Sequence, residues 1–187
     1  MNNLFIVGHT RSGTSLVSNL LNECNHIKVL SQPFTQMFYG MKRTFYEKIN
    51  HPENDLLFSH FYPDECYTPN DFVHYLSNKN LSKLQLLKWF SIPFEGQYSN
   101  FTLDVFDKKG MSGEFSNVLK LLLMELNTDE LNETLGFKQV LCEEYIPHLL
   151  NNNFKVIHVI RDPRDVVCSA HFGNGLKYKI NTVGNFV

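Results

Sequence analysis

Short apolar runs on either side of a glycine-containing loop predict a strand, a loop and a helix at the start of the chain. Residues 4–7 are all apolar and are followed by Gly8, as expected of a buried parallel strand. Apolar residues then recur at helical spacing, which predicts a helix from Thr14 to about Cys24 with one buried face. The residues that we expect on this face are Leu16, Val17, Leu20 and Leu21. A second apolar run at residues 27–30 would complete a βαβ unit with a right-handed crossover.

The same alternation of strand and helix returns near the end of the chain. Residues 137–141 and 155–160 have the composition of strands, and the second run is the clearer of the two. It leads into a sequence typical of a helix start, with Asp162 as the N-cap, Pro163 at the first helical position and Asp165 three residues after the cap. The face that this helix would bury consists of Val166, Val167 and Ala170.

The middle of the chain is predicted to be mostly helical. Asn70 or Asp71 is a candidate cap for a helix that continues through Leu76, and residues 81–90 and 115–126 show helical apolar periodicity. We expect the aromatic residues of this part to form core rather than a stacking surface for a ligand. They are Phe34, Phe38, Tyr39, Phe45, Tyr46, Trp89 and Phe90.

Strands that alternate with helices at both ends predict an α/β fold with a parallel central sheet flanked by helices. We expect a single domain over residues 1–187, because no linker, repeat or low-complexity tract divides the chain. In such sheets ligands bind at the carboxyl ends of the strands. The loop at residues 8–15 and the segment that follows residue 160 both lie at such ends.

Composition and charge narrow the range of functions. The chain carries 17 Lys and Arg against 19 Asp and Glu, a formal net charge of -2, which argues against a protein that coats nucleic acid or an anionic membrane. An anion site must therefore be local. No apolar run approaches the roughly 20 residues of a membrane span, and the N-terminus lacks the basic start of a signal peptide, so we expect a cytoplasmic protein. The four cysteines form no CxxC pair and are expected to be free, buried thiols.

The loop at residues 8–15 has the features of a phosphate-binding loop. Its two glycines, Gly8 and Gly13, have the spacing of the Walker pattern, and Ser15 fits the hydroxyl position. The lysine position of that pattern holds Thr14, and the positive charge stands within the loop as Arg11. A glycine loop at a helix N-terminus can cradle an anion, although the same sequence also suits a simple tight connection.

A second anion-binding feature follows the strand at residues 155–160. Arg161 ends this strand, and Ser169 lies about two turns into the next helix. A guanidinium can grip a phosphate with two hydrogen bonds, and a helix hydroxyl can add another. The alternative is that Arg161 pairs with Asp162 or Asp165 while Ser169 faces solvent.

Together, these two segments resemble the sulfotransferase family, whose donor is 3′-phosphoadenosine 5′-phosphosulfate (PAPS). Residues 5–15 are similar to the family's 5′-phosphosulfate loop, in the Arg-Ser-Gly-Thr form of the protein-tyrosine, carbohydrate and bacterial branches. Residues 156–169 are similar to its 3′-phosphate motif, Arg-Asp-Pro-Arg-Asp followed by a serine. The order of the two motifs and their strand–loop–helix contexts also match those of the family.

The resemblance implies a P-loop NTPase-like three-layer fold and transfer of a sulfuryl group from PAPS to a hydroxyl or amine, with 3′-phosphoadenosine 5′-phosphate (PAP) as product and no metal. The acceptor would be a small molecule, a carbohydrate or a peptide, bound by a helical insert at about residues 31–135. The 3′-phosphate motif would span residues 155–172. The 5′-phosphosulfate would be held by Arg11, Ser12, Gly13, Thr14 and Ser15, and the 3′-phosphate by Arg161 and Ser169. Since family members usually continue well past this motif, we expect a truncated or unusually compact version.

The general base is less clearly indicated. Several branches have a glutamate just after the second strand, where this chain has Gln32, which cannot accept a proton. Lys138 on the strand before the 3′-phosphate motif is a candidate contact to the sulfuryl oxygens, and Glu143 or Glu144 at the end of that strand is a candidate base. The alternatives are a solvated strand end for Lys138 and a helix-start charge for each glutamate. His9 in the loop is a further candidate base, whereas His148, His158 and His171 are expected at the surface or in packing.

Two other functions stay open at this point. A P-loop kinase acting on a small molecule would need ATP and Mg²⁺, and Thr14 at the lysine position argues against it. A nucleotide-binding module without turnover would keep both phosphate motifs, and Gln32 in place of a base favours it.

Overall fold

The computed structural model describes residues 2–49, 67–90, 112–127 and 132–172. Its strands are β1 (Asn2–Gly8), β2 (Ile27–Ser31), β3 (Asn80–Leu81), β4 (Gly113–Glu114), β5 (Thr134–Val140) and β6 (Phe154–Val159). The helices in these ranges are α1 (Thr14–Asn22), α2 (Thr35–Lys48), α3 (Pro69–Asn78), α4 (Lys83–Phe90), α5 (Phe115–Leu126), α6 (Ile146–Asn151) and α7 (Pro163–Phe172), with a 3-10 turn at Glu143–Tyr145. No helix of the described ranges is long and apolar enough to cross a membrane.

A parallel sheet of four strands forms the centre of the molecule, in the order β2-β5-β1-β6. Its register places Gly8 beside Val140 of β5 and Val159 of β6. The carboxyl ends of these three strands therefore meet at one level of the sheet. Strands β3 and β4 form a separate antiparallel pair. The prediction of an α/β fold with a parallel central sheet flanked by helices is confirmed.

The two faces of the sheet carry cores of different size. Phe5 and Phe137 belong to the larger core, which includes buried residues of α2, α3, α4 and α5. The seven aromatic side chains that we expected to form core are buried in it or packed against it. On the opposite face, Leu4, Ile6 and Val29 form a small core under helix α1.

Helix α1 turns a different stripe to the sheet from the one expected. Val17 and Leu21 pack against the small core as predicted, but Leu16 and Leu20 are 64% and 62% exposed. The prediction that all four leucine and valine side chains are buried is therefore wrong for two of them. The residues of α1 that face the sheet stand at positions 14, 17, 18 and 21, a spacing that forms one helical stripe. Two of them, Thr14 and Ser18, are small polar residues that are buried where leucines were expected.

Several predicted element ends are confirmed and others shift. Helix α7 begins at Pro163, and the Asp162 carboxylate accepts a hydrogen bond of 2.9 Å from the Arg164 N–H, so Asp162 is the N-cap. Helix α3 is capped by Thr68, not by Asn70 or Asp71, since the Thr68 hydroxyl and the Asp71 carboxylate form a reciprocal capping box. Strand β5 begins at Thr134 rather than residue 137.

Some sequence predictions are confirmed only in part, and others concern residues outside the described ranges. In helix α7, Val166 is buried and Val167 is half-buried, while the Ala170 side chain lies outside the described part. Cys142 is a buried free thiol, but Cys24 and Cys168 are exposed, so the prediction of burial is wrong for these two. Residues 50–66, which include Cys66, residues 91–111 and 128–131 of the predicted insert, and residues 173–187 lie outside the described part of the chain.

Candidate active site

The loop between β1 and α1 is shaped by two glycines that have different roles. A Cβ on Gly8 would lie 2.4 Å from the Val159 carbonyl oxygen and 2.8 Å from the Ser12 hydroxyl oxygen, so glycine permits the close approach of the loop to β6. Gly13 has a φ of 103° and is the residue from which α1 starts. Arg11 also has a positive φ, 66°. The chain therefore turns sharply over a short distance and presents the N-terminal end of α1 to the edge of the sheet.

The hydroxyl groups of this loop lie at different depths. Ser12 is 6% exposed, and its Oγ is buried without a hydrogen-bond partner among the described residues. Thr14 is also buried, whereas Ser15 is exposed. A buried hydroxyl that lacks a partner is costly unless something binds there, so Ser12 is suited to hydrogen-bond an anion held by the loop.

Lys138 brings a buried positive charge to the same loop. It is only 5% exposed, and its Nζ donates a hydrogen bond of 2.9 Å to the Ser15 Oγ. In the register of the sheet it pairs with Ile6 on one side and Ser31 on the other, so it belongs to the face covered by α1. Burial lowers the pKa of Lys138. The alternative of a solvated strand end is wrong, because this lysine reaches across to the first turn of α1.

Arg11 and Arg161 join the two predicted phosphate motifs. The Arg11 Nε donates to the Ser169 Oγ at 3.2 Å, and its Nη2 donates to the Ser169 carbonyl oxygen at 3.4 Å. The Arg161 Nη1 donates to the Arg11 carbonyl oxygen at 3.2 Å. Arg11 thus lies beside Arg161 and Ser169, although about 150 positions of the chain separate it from them.

The carboxylates beside this cluster each have an arginine partner. Asp165 lies 3.8 Å from the Arg161 Nε, so one of the two alternative pairs considered for Arg161 is present. Asp162 instead binds Arg164 at 2.6 Å, and this hydrogen bond is the main cause of its lowered pKa. Ser169 does not simply face solvent, since it accepts a hydrogen bond from Arg11. The arginines at this edge are exposed and accessible to a ligand.

The turn after β5 places the two candidate glutamates in different surroundings. Its first residue, Leu141, has a φ of 56° and donates its N–H to the Gly8 carbonyl oxygen at 3.3 Å. Glu144 forms an ion pair with Lys42 of α2, with side-chain exposures of 7% and 1%. Burial raises the pKa of Glu144, and Lys42 opposes that rise. Burial is the largest influence on the pKa of Lys42 and lowers it, but the charge and hydrogen bond of Glu144, together with Cys142 and Tyr46, outweigh burial, so the pKa of Lys42 is raised.

Glu143 differs from its neighbour. Its Oε2 is buried and accepts no hydrogen bond from any residue in the described part of the chain. The two glutamates begin the 3-10 turn, but the N-cap residue of that turn, Cys142, makes no side-chain capping bond. Glu144 also has a buried oxygen, Oε1, without a hydrogen-bond partner in the described part, so the two differ in the ion pair of Glu144 with Lys42, and the catalytic role of either stays a prediction.

Gln32 directly follows β2 and has a left-handed backbone conformation, with a φ of 52°. Its N–H donates to the Lys138 carbonyl oxygen at 2.8 Å, and its carbonyl oxygen accepts a 3.2 Å bond from the Thr35 hydroxyl. That hydroxyl in turn accepts a 2.6 Å bond from the Gln139 side chain. The sequence did not predict the contact of Thr35 with Gln139 or that of Lys42 with Glu144, and no local pattern indicates either.

The histidines considered in the sequence analysis lie in different surroundings. The His9 ring is engaged locally, with its Nδ1 2.9 Å from the Thr10 carbonyl oxygen. His148 is fully buried, lies 3.3 Å from the Ser77 hydroxyl and packs against Phe115, so its predicted packing role is confirmed. His158 is exposed on β6. The His171 side chain lies outside the description.

Comparison with known proteins identifies the family. The model of the sulfotransferase family matches residues 3–181, which is nearly the whole chain. A comparison with curated proteins gives no match. The chain therefore belongs to the sulfotransferase family.

Proposed function

We propose that this member of the sulfotransferase family transfers a sulfuryl group from PAPS to a hydroxyl or amine of a small molecule, carbohydrate or peptide. The observation that carries the proposal is the contact of Arg11 with Ser169 and of Arg161 with the Arg11 backbone. This contact unites two anion-binding segments at the carboxyl edge of one sheet. A ligand with two separate anionic ends, such as PAPS, suits a site built from two such segments.

The residues present fit the donor. Around the loop, the buried Ser12 hydroxyl, the N-terminus of α1 and the Lys138 ammonium group offer hydrogen bonds and positive charge to the 5′-phosphosulfate. The full set proposed for this end is Arg11, Ser12, Gly13, Thr14, Ser15 and Lys138. At the other end, Arg161 and Ser169 would hold the 3′-phosphate.

Donor binding would displace one exposed contact at this end of the site and can keep the other. Arg11 donates to the Ser169 hydroxyl oxygen, and this hydroxyl can donate its own hydrogen to a 3′-phosphate at the same time. Asp165 lies 3.8 Å from the Arg161 Nε and partly neutralises this arginine. That ion pair is exposed and is worth little in water, so a phosphate group can displace it.

The reaction needs a base on the acceptor and positive charge on the leaving group. The sulfur–oxygen bond to the phosphate of PAPS breaks while a new sulfur–oxygen or sulfur–nitrogen bond forms to the acceptor. Lys138 and Arg11 would stabilise the negative charge that develops on the phosphate of PAP. Glu143 would accept the proton that the acceptor releases, because the other candidate, Glu144, is already in an ion pair with Lys42.

A transfer assay tests this function. The wild-type chain is incubated with radiolabelled PAPS and a panel of phenols, sugars, tyrosine peptides and hydroxylated lipids, and labelled product is separated and counted. We expect transfer to at least one class, and a fall of about 100-fold or more for Glu143→Gln, as for loss of a general base. Asp162→Asn is the matched control, because that carboxylate binds Arg164 and should leave the rate unchanged.

A donor-binding module without turnover is the second candidate. Gln32 favours it, since a glutamine stands at the end of β2 where a base would be expected. Binding of PAP without transfer to any of the acceptors would support the module, and labelled product with any of them would exclude it. A kinase is the third candidate, and binding of ATP that tightens with Mg²⁺ would be needed to favour it.

A further inference from the structure

Four residues other than glycine have a positive φ in the described ranges, and three of them lie at one edge of the sheet. Arg11, Gln32 and Leu141 have φ values of 66°, 52° and 56° and lie in the segments that follow β1, β2 and β5. The fourth, Asn153, directly precedes β6 and so lies at the opposite edge. Backbone conformations of this kind cost energy and cluster where function requires them. The three strained residues therefore mark the carboxyl edge of the sheet as the functional edge.

Gln32 is the one of these three residues whose strain has no evident purpose in the donor loop or the core. Arg11 belongs to the phosphate loop, and Leu141 is a buried residue whose backbone N–H binds Gly8. Gln32 is followed by Pro33, which favours an extended backbone in the residue before it. A left-handed Gln32 departs from that preference as well as from the general preference of side-chain-bearing residues.

Hydrogen bonds hold the backbone of Gln32 from both sides. Its N–H donates to the Lys138 carbonyl oxygen at 2.8 Å, and its carbonyl oxygen accepts a 3.2 Å bond from the buried Thr35 hydroxyl. The Thr35 oxygen accepts in turn from the wholly buried Gln139 side chain at 2.6 Å. Lys138 is also the residue whose Nζ reaches Ser15 in the first turn of α1. The network thus fixes Gln32 on the strand neighbour of the lysine that contacts the phosphate loop.

The side chain of Gln32, in contrast, is left available. It is half-buried and makes no hydrogen bond within the described ranges. An amide is uncharged and both donates and accepts hydrogen bonds, so its best match is a neutral group that does the same, such as a sugar hydroxyl. The aromatic residues that follow Gln32 most closely, Phe34 and Phe38, are wholly buried and offer no ring face on which a phenol could stack.

We propose that Gln32 determines acceptor specificity: its side-chain amide hydrogen-bonds a hydroxyl next to the one that receives the sulfuryl group, and this contact selects carbohydrates over simple phenols. The inference rests on the proposed transfer and names the class of acceptor within it. An amide takes no proton at neutral pH, so Gln32 positions the acceptor and a separate group is the base. The strain at Gln32 is then explained, because glycine would fit the backbone but could not bind the acceptor.

Transfer kinetics with defined probes test the specificity. The sugars are the methyl glycosides of glucose, galactose and N-acetylglucosamine, and the phenol is 4-nitrophenol. We expect the wild type to sulfate at least one glycoside with a higher kcat/KM than 4-nitrophenol. Gln32→Met keeps the length of the side chain but removes the amide, so it should raise the KM for that glycoside by about tenfold, with the KM for PAPS within about twofold of the wild type. Gln36→Met, a half-buried glutamine of α2, is the matched control and should change neither.

A backbone variant separates binding by the side chain from a structural role. Gln32→Gly should leave the thermal unfolding midpoint at or above that of the wild type, because glycine adopts a positive φ without strain. It should nevertheless raise the glycoside KM as Gln32→Met does. Asn153→Gly is the matched control, since it relieves a similar φ of 63° at the opposite edge and should leave the kinetics unchanged.

The outcomes separate this inference from the proposed function. Preference of the wild type for 4-nitrophenol over every glycoside would overturn the assignment of Gln32, and so would an unchanged glycoside KM in Gln32→Met. A lowered unfolding midpoint in Gln32→Gly would show that the side chain serves the fold, and would overturn it too. A wild-type chain that transfers sulfate to no acceptor would overturn the proposed function, and this inference with it.

Discussion

The two sides of the sheet edge at Gly8 use charge in opposite ways. On the donor side, which we define as Arg11, Arg161, Arg164 and their partners, the charged groups are exposed and make long or water-accessible contacts. The proposed function would assign the other side to the acceptor. On this acceptor side, which we define as Lys42, Glu144, Thr35 and Gln139, the charged and polar groups are almost wholly buried.

This difference suits the donor side to ligand binding and the acceptor side to holding the structure of the protein. Exposed ion pairs contribute little to stability, so the donor side can exchange its internal contacts for those of a ligand. Buried pairs cannot be broken without leaving a charge uncompensated, so the acceptor side holds its shape whether or not a ligand is bound. Mutations of Arg11 and Arg161 on the donor side should therefore change affinity, and mutations on the acceptor side should change stability.

The largest expected effect on stability is on the acceptor side. Lys42→Met should lower the free energy of unfolding by about 3–5 kcal/mol, because it leaves the buried Glu144 without its partner. Urea unfolding followed by circular dichroism measures it. Arg164→Ala, which breaks an exposed pair with Asp162, is the control and should leave the midpoint unchanged. Equal shifts for the two variants would remove the contrast between the two sides.

A smaller effect on stability is expected where helices α2 and α4 meet. A Cβ on Gly40 would lie 2.4 Å from the Trp89 ring, so Gly40→Ala should destabilise the fold by about 1–3 kcal/mol through overpacking. Thermal unfolding is the measurement, and Leu84→Ala, at a position 77% exposed, is the control. PAP affinity should be unaffected in the folded fraction. A midpoint equal to that of the wild type would show that the ring can move aside.

The smallest effect concerns the pH dependence of donor binding through Lys138, which is buried beside the phosphate loop. Burial lowers the pKa of Lys138, so in the ligand-free chain the amine loses its proton at a lower pH than an ordinary lysine does. An anionic ligand favours the charged form, so PAP affinity should fall as the pH rises through this pKa, and binding there should take up a proton. Calorimetry between about pH 7, where the phosphates are ionised, and about pH 10 measures both.

A matched variant locates the effect. Lys138→Met should weaken PAP binding at neutral pH by about tenfold and should abolish the alkaline decline, because the titrating group is gone. An alkaline decline that persists in Lys138→Met would assign it to another residue.

The fold and the donor side could be predicted from local signals in the sequence. Residues 4–7 are an apolar run next to glycine, and residues 155–160 are rich in valine and isoleucine and shortly precede an aspartate–proline pair. Both patterns depend only on neighbours in the chain. Arg11 and Arg161 follow such strands. Since the carboxyl ends of parallel strands share one edge, their proximity could be foreseen.

The acceptor side could not be predicted in this way. The pairing of Lys42 with Glu144 and of Thr35 with Gln139 joins residues about 100 positions apart, and nothing in the local pattern selects these partners. The same holds for Leu16 and Leu20, which were expected inside because they are apolar. Their exposure depends on which face of α1 packs against the sheet, and that face contains the buried Thr14 and Ser18.

Calorimetric titration of PAP into the wild-type chain and three arginine variants tests the central claim most directly. We expect saturable binding to the wild type, a loss of about tenfold or more in Arg11→Ala and in Arg161→Ala, and wild-type affinity in Arg164→Ala. These losses should appear without a change in the unfolding midpoint, because the donor-side contacts are exposed. Absence of PAP binding to the folded wild-type chain, or equal affinity in all three variants, would contradict the account.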